Sequence, residues 1–312
     1  MRILVVGAGG IGGYFGGRLL EVGRAVTFLV RPRRAAQLAK SGLVIRSPLG
    51  DVELPAPPTV TADALREPFG LVLLSCKAYD LDDAMDSFAP AVGPGTAILP
   101  LLNGMRHMDA LGARFGAAKV LGGQCVISVV LDLEGRILHL NDIHTLSFGE
   151  QDGFRSARIE AITAELSGAS FEARPSDGIV QEMWDKWVFI ATLAGITCLM
   201  RASIGDIVAA GATDLATAML DECAAIAGAQ GFPPGQSFMQ RSRAMLTTAG
   251  SGLTASMFRD IERGAPIEAD HVLGDLLRRA GERTGLSPLL RTANAHLKAY
   301  EARRAREMRL RS

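Results

Sequence analysis

The sequence predicts an α/β protein in which a doubly wound N-terminal domain is followed by an all-helical C-terminal domain. In the first half, apolar runs alternate with helical patterns, as in RILVV before a helix ending at Val22 and AVTFLV before RRAAQLAKSG. This alternation is typical of βαβ units and a parallel sheet. After Pro175 there is no strong strand signal, and helical stretches follow one another. We therefore expect domains at residues 1–176 and 177–312.

The remaining elements of the first domain continue this pattern, with two exceptions. LVLLSCK precedes LDDAMDSFAPAV, TAILPLL precedes HMDALGARFG, and KVLGGQCVIS follows. Residues 42–58, with Pro48, Gly50 and a proline cluster, indicate a hairpin insertion. Residues 134–153 resemble antiparallel strands added to the edge of the sheet. ARIEAITAELS and FEARP supply one more helix and strand, which would complete the domain.

The second domain is predicted to contain helical stretches at 179–200, 212–231, 237–250, 269–285 and 289–309. Its most apolar segment, from Trp187 to Met200, is shorter than the about 20 residues that a bilayer requires, so we expect a core helix. The basic end, ARRAREMRLRS, is interpreted as a solvated helix end rather than a binding arm.

Composition argues against several classes of protein. The chain has 33 basic and 33 acidic residues and a formal charge of zero, so neither a nucleic-acid surface nor a membrane partner is expected. The 4 cysteines show no CxxC spacing and the 5 histidines no ligand spacing, so we infer no metal site. Glycines interrupt the apolar N-terminus, which argues against a signal peptide and for a cytoplasmic protein.

The stretch GAGGIG forms a G-x-G-x-x-G pattern that closes the first strand and opens the first helix. Gly7 permits the tight turn, Gly9 lets the backbone approach a pyrophosphate, and Gly12 allows the helix to pack on the strand. The helix N-terminus then offers N–H groups to the anion. A Rossmann-like dinucleotide site is predicted at Gly7, Ala8, Gly9, Gly10, Ile11 and Gly12. The alternative is a glycine-rich turn without a ligand.

The end of the second strand indicates which dinucleotide binds. Arg31-Pro-Arg33-Arg34 follows AVTFLV, and no carboxylate occurs before Asp51. A carboxylate at this place favours NAD, whereas a cation accepts the 2′-phosphate of NADP. We therefore predict NADPH, with Arg31 as the primary contact. Alternatively, these arginines lie on an exposed loop without a ligand.

Polar residues also follow later strands and interrupt a later helix. Lys77 and Asn103 end the fourth and fifth parallel strands, where such sheets bind ligands. Lys186 lies between two tryptophans of an apolar helix, so it either snorkels or pairs with a carboxylate. Glu268 follows a Gly-Ala-Pro break and is expected in the first turn of a helix, where a carboxylate also favours the helix dipole.

The segments GAGGIG, CKAYD, LLNGM, EMWDKW and SMFRDIERGAPIEADHV, in this order and spacing, resemble the ketopantoate reductase (2-dehydropantoate 2-reductase) family. The resemblance spans nearly the whole chain. Its most specific part is the last block with the upstream WxK, because G-x-G-x-x-G occurs in many families. The resemblance implies NADPH-dependent reduction of the ketone of 2-dehydropantoate to (R)-pantoate, a step toward pantothenate and coenzyme A.

The resemblance also implies roles for single residues. Lys186 matches the family's catalytic lysine, which acts as general acid and stabilises the charge on the carbonyl oxygen. Glu268 matches the glutamate that helps to organise the nicotinamide and the substrate. The remaining matches are Asn103 to cofactor and substrate, Lys77 and Ser128 to the cofactor, and Ser256 to the substrate carboxylate. The small-molecule partner is then a 2-oxo acid, and a homodimer is left open.

One departure from the family concerns the helix of Lys186. The family carries asparagines four and eight residues after the lysine, on the same helix face, and here these positions are Ile190 and Ala194. Loss of two polar substrate contacts is expected to relax or redirect substrate choice. One alternative is therefore a paralogue that reduces a more apolar 2-oxo acid. Another is a non-catalytic dinucleotide-binding regulator, against which the presence of Lys186 and Glu268 argues.

Overall fold

The computed structural model describes residues 1–281 and 287–310. Chain contacts divide the chain into two compact units, one formed by Met1–Leu102 with His107–Val180, the other by Asn103–Arg106 with the chain from Gln181 onward. The predicted fold class is confirmed, since the first unit holds a parallel sheet and the second is helical. Asn103 belongs to the second unit by its contacts, although it follows a strand of the first.

The first unit contains the strands and five of the helices. The strands are β1 (Ile3–Val6), β2 (Val26–Leu29), β3 (Leu43–Arg46), β4 (Val52–Leu54), β5 (Thr59–Val60), β6 (Leu71–Leu74), β7 (Ala97–Pro100), β8 (Gly122–Leu131), β9 (Ile137–Gly149) and β10 (Glu172–Pro175). The helices are α1 (Gly10–Glu21), α2 (Pro32–Ser41), α3 (Leu81–Phe88), α4 (Arg106–Phe115) and α5 (Ala157–Leu166).

Five strands form a parallel sheet in the order β5-β2-β1-β6-β7. When these five strands are numbered 1 to 5 by their order along the chain, they follow the doubly wound order 3-2-1-4-5. The order reverses between β1 and β6. Ligands of such sheets bind beyond the carboxyl ends of the strands at that reversal. The sequence did not predict β5, because it is only two residues long and follows a proline cluster.

A second sheet confirms one sequence-based expectation and corrects another. Its order is β10-β9-β3-β4, with β8 antiparallel to β9. The predicted hairpin between residues 42 and 58 is β3–β4. The prediction that residues 134–153 are antiparallel strands on the edge of the parallel sheet was wrong, because they form one long strand, β9, in this separate sheet. Strand periodicity indicates which residues are extended, not which sheet they join.

Helix α1 packs between the two sheets. A Cβ atom on Gly16 would lie 2.6 Å from the Phe28 ring of the parallel sheet. One on Gly17 would lie 2.8 Å from Ile45 Cδ1 of the second sheet. The glycines of this helix therefore allow sheets to approach it from two sides, and this fixes the N-terminus of α1 firmly at the end of β1.

The second unit contains α6 (Ile179–Met200), α7 (Ile204–Ala209), α8 (Thr213–Ala229), α9 (Gln236–Leu246), α10 (Ser256–Glu262), a π-helical turn (Asp270–Gly274), α11 (Asp275–Ala280) and α12 (Pro288–Arg309). The sequence did not predict α7 and α10, which are too short to show a helical period. Residues 282–285 of one predicted helix and the last two residues of the basic tail lie outside the described residues.

Among the described residues, α6 is long and apolar enough to cross a membrane by length and composition. However, 67% of its most apolar window is buried within the structure, and Trp187 at its centre is fully buried. This burial is typical of the core helix that the sequence predicts.

Candidate active site

The glycine loop between β1 and α1 has the geometry that a dinucleotide requires. Gly7 adopts a φ of +94°, in the left-handed region that favours glycine. A Cβ on Gly12 would overlap Ser75 Oγ and the Gly7 carbonyl oxygen, so helix and strand can approach each other only without a side chain there. A Cβ on Gly9 would meet no atom within 4 Å, so backbone is open to an approaching ligand.

The start of α1 fits an anion such as a pyrophosphate. Gly9 is the N-cap and no side chain caps the helix, so the first N–H groups are available with the positive end of the helix dipole. The Val129 side chain of β8 borders this end, 3.2 Å from where a Gly10 Cβ would lie. Ser128 precedes Val129 at a bulge in β8, and its N–H donates to Asn141 Oδ1 at 3.0 Å. The predicted cofactor residue Ser128 is thus brought near the loop.

Arg31 follows β2, lies at the N-cap of α2 and is exposed. Its Nη2 donates to Asp80 Oδ1 at 2.6 Å, and this bond raises the pKa of the guanidinium further above its usual value. Asp80 ends a short 3-10 turn that directly follows the exposed Lys77. The sequence did not indicate this carboxylate, because Asp80 follows β6 and not β2, the strand after which such a residue is expected.

Arg34 has a structural contact with the glycine loop. It is half-buried in the first turn of α2, and its Nε donates to the Ala8 carbonyl at 3.1 Å while Nη2 donates to the Gly135 carbonyl at 3.1 Å. Burial lowers its pKa. A cavity of about 340 Å³ lies here, lined by Arg31, Arg33, Arg34, Gln37, Leu131, Asp132, Leu133 and Gly135. A basic cavity next to the loop suits a phosphate-bearing ligand.

In the second unit, Lys186 lies half-buried on α6 between the buried Trp184 and Trp187, whose ring centroids are 4.9 Å apart. Trp187 Nε1 donates to the Val272 carbonyl at 2.8 Å, inside the protein. Burial raises the pKa of the preceding residue, Asp185, which accepts a hydrogen bond from a glutamine one turn earlier. Through the bond from Trp187 to Val272, the helix that carries Lys186 is joined to the π-helical turn.

Ile190 and Ala194 follow Lys186 along one face of this unbroken helix. Ile190 is half-buried and Ala194 is only 3% exposed. The face that begins with the lysine is thus apolar, as the sequence indicates.

Glu268 lies two residues before the π-helical turn, and its carbonyl accepts the N–H groups of His271 at 3.1 Å and Val272 at 3.0 Å. The sequence predicts Glu268 in the first turn of a helix, whereas the structure places it just before the helical residues, which begin at Ala269 with an irregular turn. Because Trp187 bonds to Val272 of the same turn, the structure brings the elements of Lys186 and Glu268 together.

Asn103 is connected to the same turn by His271, a residue that the sequence did not indicate. The buried His271 ring is hydrogen-bonded to the main chain of Asn103. No pattern in the sequence could have identified this histidine, since a single histidine in a helical stretch is usually a core residue.

Ser256 begins α10 and is exposed. The residue before it donates its N–H to Thr197 Oγ1 of α6 at 3.4 Å.

Three of the four cysteines are not positioned as nucleophiles. Cys125, Cys198 and Cys223 are buried, and burial raises the pKa of the Cys198 and Cys223 thiols to about 12. The Cys198 and Cys223 thiols are therefore protonated at neutral pH. Among the described residues, no group of three His, Cys, Asp or Glu side chains could hold a metal ion.

Comparison with known proteins covers almost the full chain. The sequence profile described as ketopantoate reductase PanE/ApbA matches residues 3–153, and the profile of the C-terminal part of the same family matches residues 178–301. The chain is 39% identical over 303 residues to an uncharacterized oxidoreductase, YkpB, of Bacillus subtilis, covering 97% of this chain and 99% of that one.

Two solved structures are similar in fold. A 2-dehydropantoate 2-reductase from Methylococcus capsulatus has a TM-score of 0.86 at 27% identity, covering 97% of this chain and 98% of that one. A D-mandelate dehydrogenase solved with NADH and anilino(oxo)acetate has a TM-score of 0.87 at 19% identity, covering 98% and 99%. At this lower identity the likeness concerns the fold alone.

Proposed function

This chain belongs to the ketopantoate reductase family of oxidoreductases that use a nicotinamide dinucleotide, and from that premise we propose that it reduces 2-dehydropantoate to (R)-pantoate with NADPH. The observation that carries the proposal is the hydrogen bond from Trp187 to Val272. It holds the helix of Lys186 against the turn that follows Glu268. An ammonium group on such a rigid framework suits a reaction that builds negative charge on a carbonyl oxygen.

In the proposed reaction, the bound cofactor supplies a hydride to the ketone carbon. Lys186 stabilises the developing charge on the carbonyl oxygen and donates the proton that completes the alcohol. Glu268 and Asn103 orient the reacting groups, and the Ser256 hydroxyl donates to the substrate carboxylate. The proton lost by Lys186 is returned from solvent before the next turnover.

For the cofactor, we assign the pyrophosphate to the loop from Gly7 to Gly12 and the 2′-phosphate to Arg31, with Lys77 and Ser128 as further contacts. The open backbone at Gly9 and the basic cavity beside Ala8 support this assignment. A 2′-phosphate would take over the guanidinium donor that Arg31 now gives to Asp80. We retain residues 1–176 as the cofactor domain and 177–312 as the substrate domain.

The test is an initial-rate measurement with purified protein, NADPH and 2-dehydropantoate, with NADH in parallel. The matched control substrate is 3,3-dimethyl-2-oxobutanoate, which has the same carbon skeleton and lacks only the hydroxyl. We expect NADPH oxidation, a lower rate with NADH, and (R)-pantoate as the product on chiral chromatography. Oxidation with NADH alone would contradict the cofactor assignment.

Ile190 and Ala194 favour a second candidate, the reduction of a more apolar 2-oxo acid. A pocket that lacks polar partners cannot strongly select a substrate hydroxyl. A higher kcat/KM for 3,3-dimethyl-2-oxobutanoate than for 2-dehydropantoate would support this second candidate. Binding of NADPH without turnover of any 2-oxo acid would contradict both candidates and indicate a regulator.

A further inference from the structure

The π-helical turn Asp270–Gly274 is an irregular element on which segments of the second unit converge. Turns of this kind widen a helix by one residue and occur frequently at functional sites. One of its residues accepts the indole N–H of Trp187, next to Lys186. Another, His271, contacts the Asn103–Gly104 loop. The turn is thus bonded to Asn103 and to Trp187, the neighbour of Lys186, and begins two residues after Glu268.

His271 lies close to both residues of the loop, Asn103 and Gly104. Its ring is hydrogen-bonded to the main chain of Asn103. A Cβ on Gly104 would lie 3.0 Å from the His271 carbonyl oxygen and 3.2 Å from ring atom Cδ2. Gly104 also has a φ of +78°, so a side chain there would be strained as well as crowded. The His271 ring is therefore bonded to the main chain of Asn103, and the next residue of the loop, Gly104, packs closely against His271.

Burial keeps the His271 ring neutral against the pull of nearby carboxylates. Burial lowers its pKa, and Arg106 acts in the same direction. Glu268, the bond to Asn103 and Asp275 act against this, but the pKa remains below its ordinary value. The ring is 5% exposed. A neutral imidazole has one N–H to donate and adds no charge beside Glu268.

We propose that His271 is a positioning residue that fixes the main chain of Asn103 and so orients the Asn103 amide for cofactor and substrate. This inference rests on the proposed function, which assigns that role to Asn103. His271 does not itself contact the reacting atoms. Its effect passes through Asn103, and this distinguishes it from a histidine that only fills space.

A double-mutant cycle tests this coupling. The variants are His271→Phe, which fills the space without a hydrogen bond, His271→Gln, which keeps an N–H donor, Asn103→Ala, and Asn103→Ala with His271→Phe. For each, kcat and KM for the 2-oxo acid, the Kd of NADPH and the melting temperature are measured. If His271→Phe does not fold, the smaller His271→Leu replaces it.

We expect His271→Phe to lower kcat/KM by about tenfold to a hundredfold, because a small misplacement of a binding group is costly to catalysis. In the Asn103→Ala background the same change should cost no more than about twofold, since the group that it positions is gone. His271→Gln should recover most of the activity at an equal melting temperature.

Additive losses in the cycle, or equal losses for the phenylalanine and glutamine variants, would overturn the proposal and leave His271 as a packing residue. Failure of the proposed function would look different. A parent protein that binds NADPH but reduces no 2-oxo acid contradicts that function. The cycle on the NADPH Kd then still decides the role of His271, because Asn103 is also assigned to the cofactor.

Discussion

The glycine loop of the first unit and the π-helical turn of the second are assembled in different ways. The loop takes its properties from six consecutive residues, from Gly7 to Gly12, and presents mainly backbone. The turn joins segments that are far apart in sequence, namely the Asn103 loop, α6 and the residues after Glu268. An anion site made of backbone can therefore form within one short segment, whereas an acid–base site depends on the tertiary fold.

Two alanine substitutions in the glycine loop should have different effects, one on stability and the other on cofactor binding. Gly12→Ala should lower the free energy of unfolding by about 1–3 kcal/mol, because its Cβ would overlap Ser75 and the Gly7 carbonyl. Gly9→Ala has room for its Cβ, so it should fold normally but raise the NADPH Kd by about tenfold or more, or about 1.4 kcal/mol. Thermal unfolding and fluorescence titration with NADPH separate the two effects.

Each loop variant serves as the control for the other. Neither is expected to change the rate of the chemical step once cofactor is saturating. A Gly9→Ala protein with parent affinity for NADPH would show that the dinucleotide does not lie against this backbone.

Ile190→Asn tests whether the apolar face of α6 in the second unit determines substrate choice. A polar group restored on the face of Lys186 should raise the ratio of kcat/KM for 2-dehydropantoate over 3,3-dimethyl-2-oxobutanoate by about tenfold, the worth of one hydrogen bond. Ile190→Leu is the matched control, since it changes shape without adding a donor. An unchanged ratio in Ile190→Asn would mean that this face does not meet the substrate hydroxyl.

Asp80→Asn is expected to have the smallest effect. It releases the exposed Arg31 guanidinium for a 2′-phosphate, so the NADPH Kd should fall by up to about fivefold, as expected for an exposed ion pair, while the NADH Kd stays constant. Asp82→Asn, with the same change of charge in the following helix, is the control. Weaker NADH binding in Asp80→Asn would instead indicate that Asp80 accepts hydrogen bonds from the ribose.

The two regions also differ in how far the sequence predicts them. G-x-G-x-x-G, the apolar strands around it and the alternation of helices gave the parallel sheet and its loop, because these patterns repeat over short distances. The pairing of Arg31 with Asp80 and the bond from Trp187 to Val272 join residues far apart in sequence. No local pattern encodes such contacts. For the same reason the sequence indicates Lys186 and Glu268 as candidates but not His271, the residue of the turn that is bonded to Asn103.

The measurement that tests the central claim most directly compares the parent with Lys186→Met for hydride transfer to 2-dehydropantoate in a single turnover at saturating NADPH. Methionine keeps the length of the side chain and removes the ammonium. We expect a rate lower by about 10²–10⁴-fold with an NADPH Kd within about twofold of the parent value. A Lys186→Met protein that transfers hydride at the parent rate would contradict the assignment of the acid to the second unit.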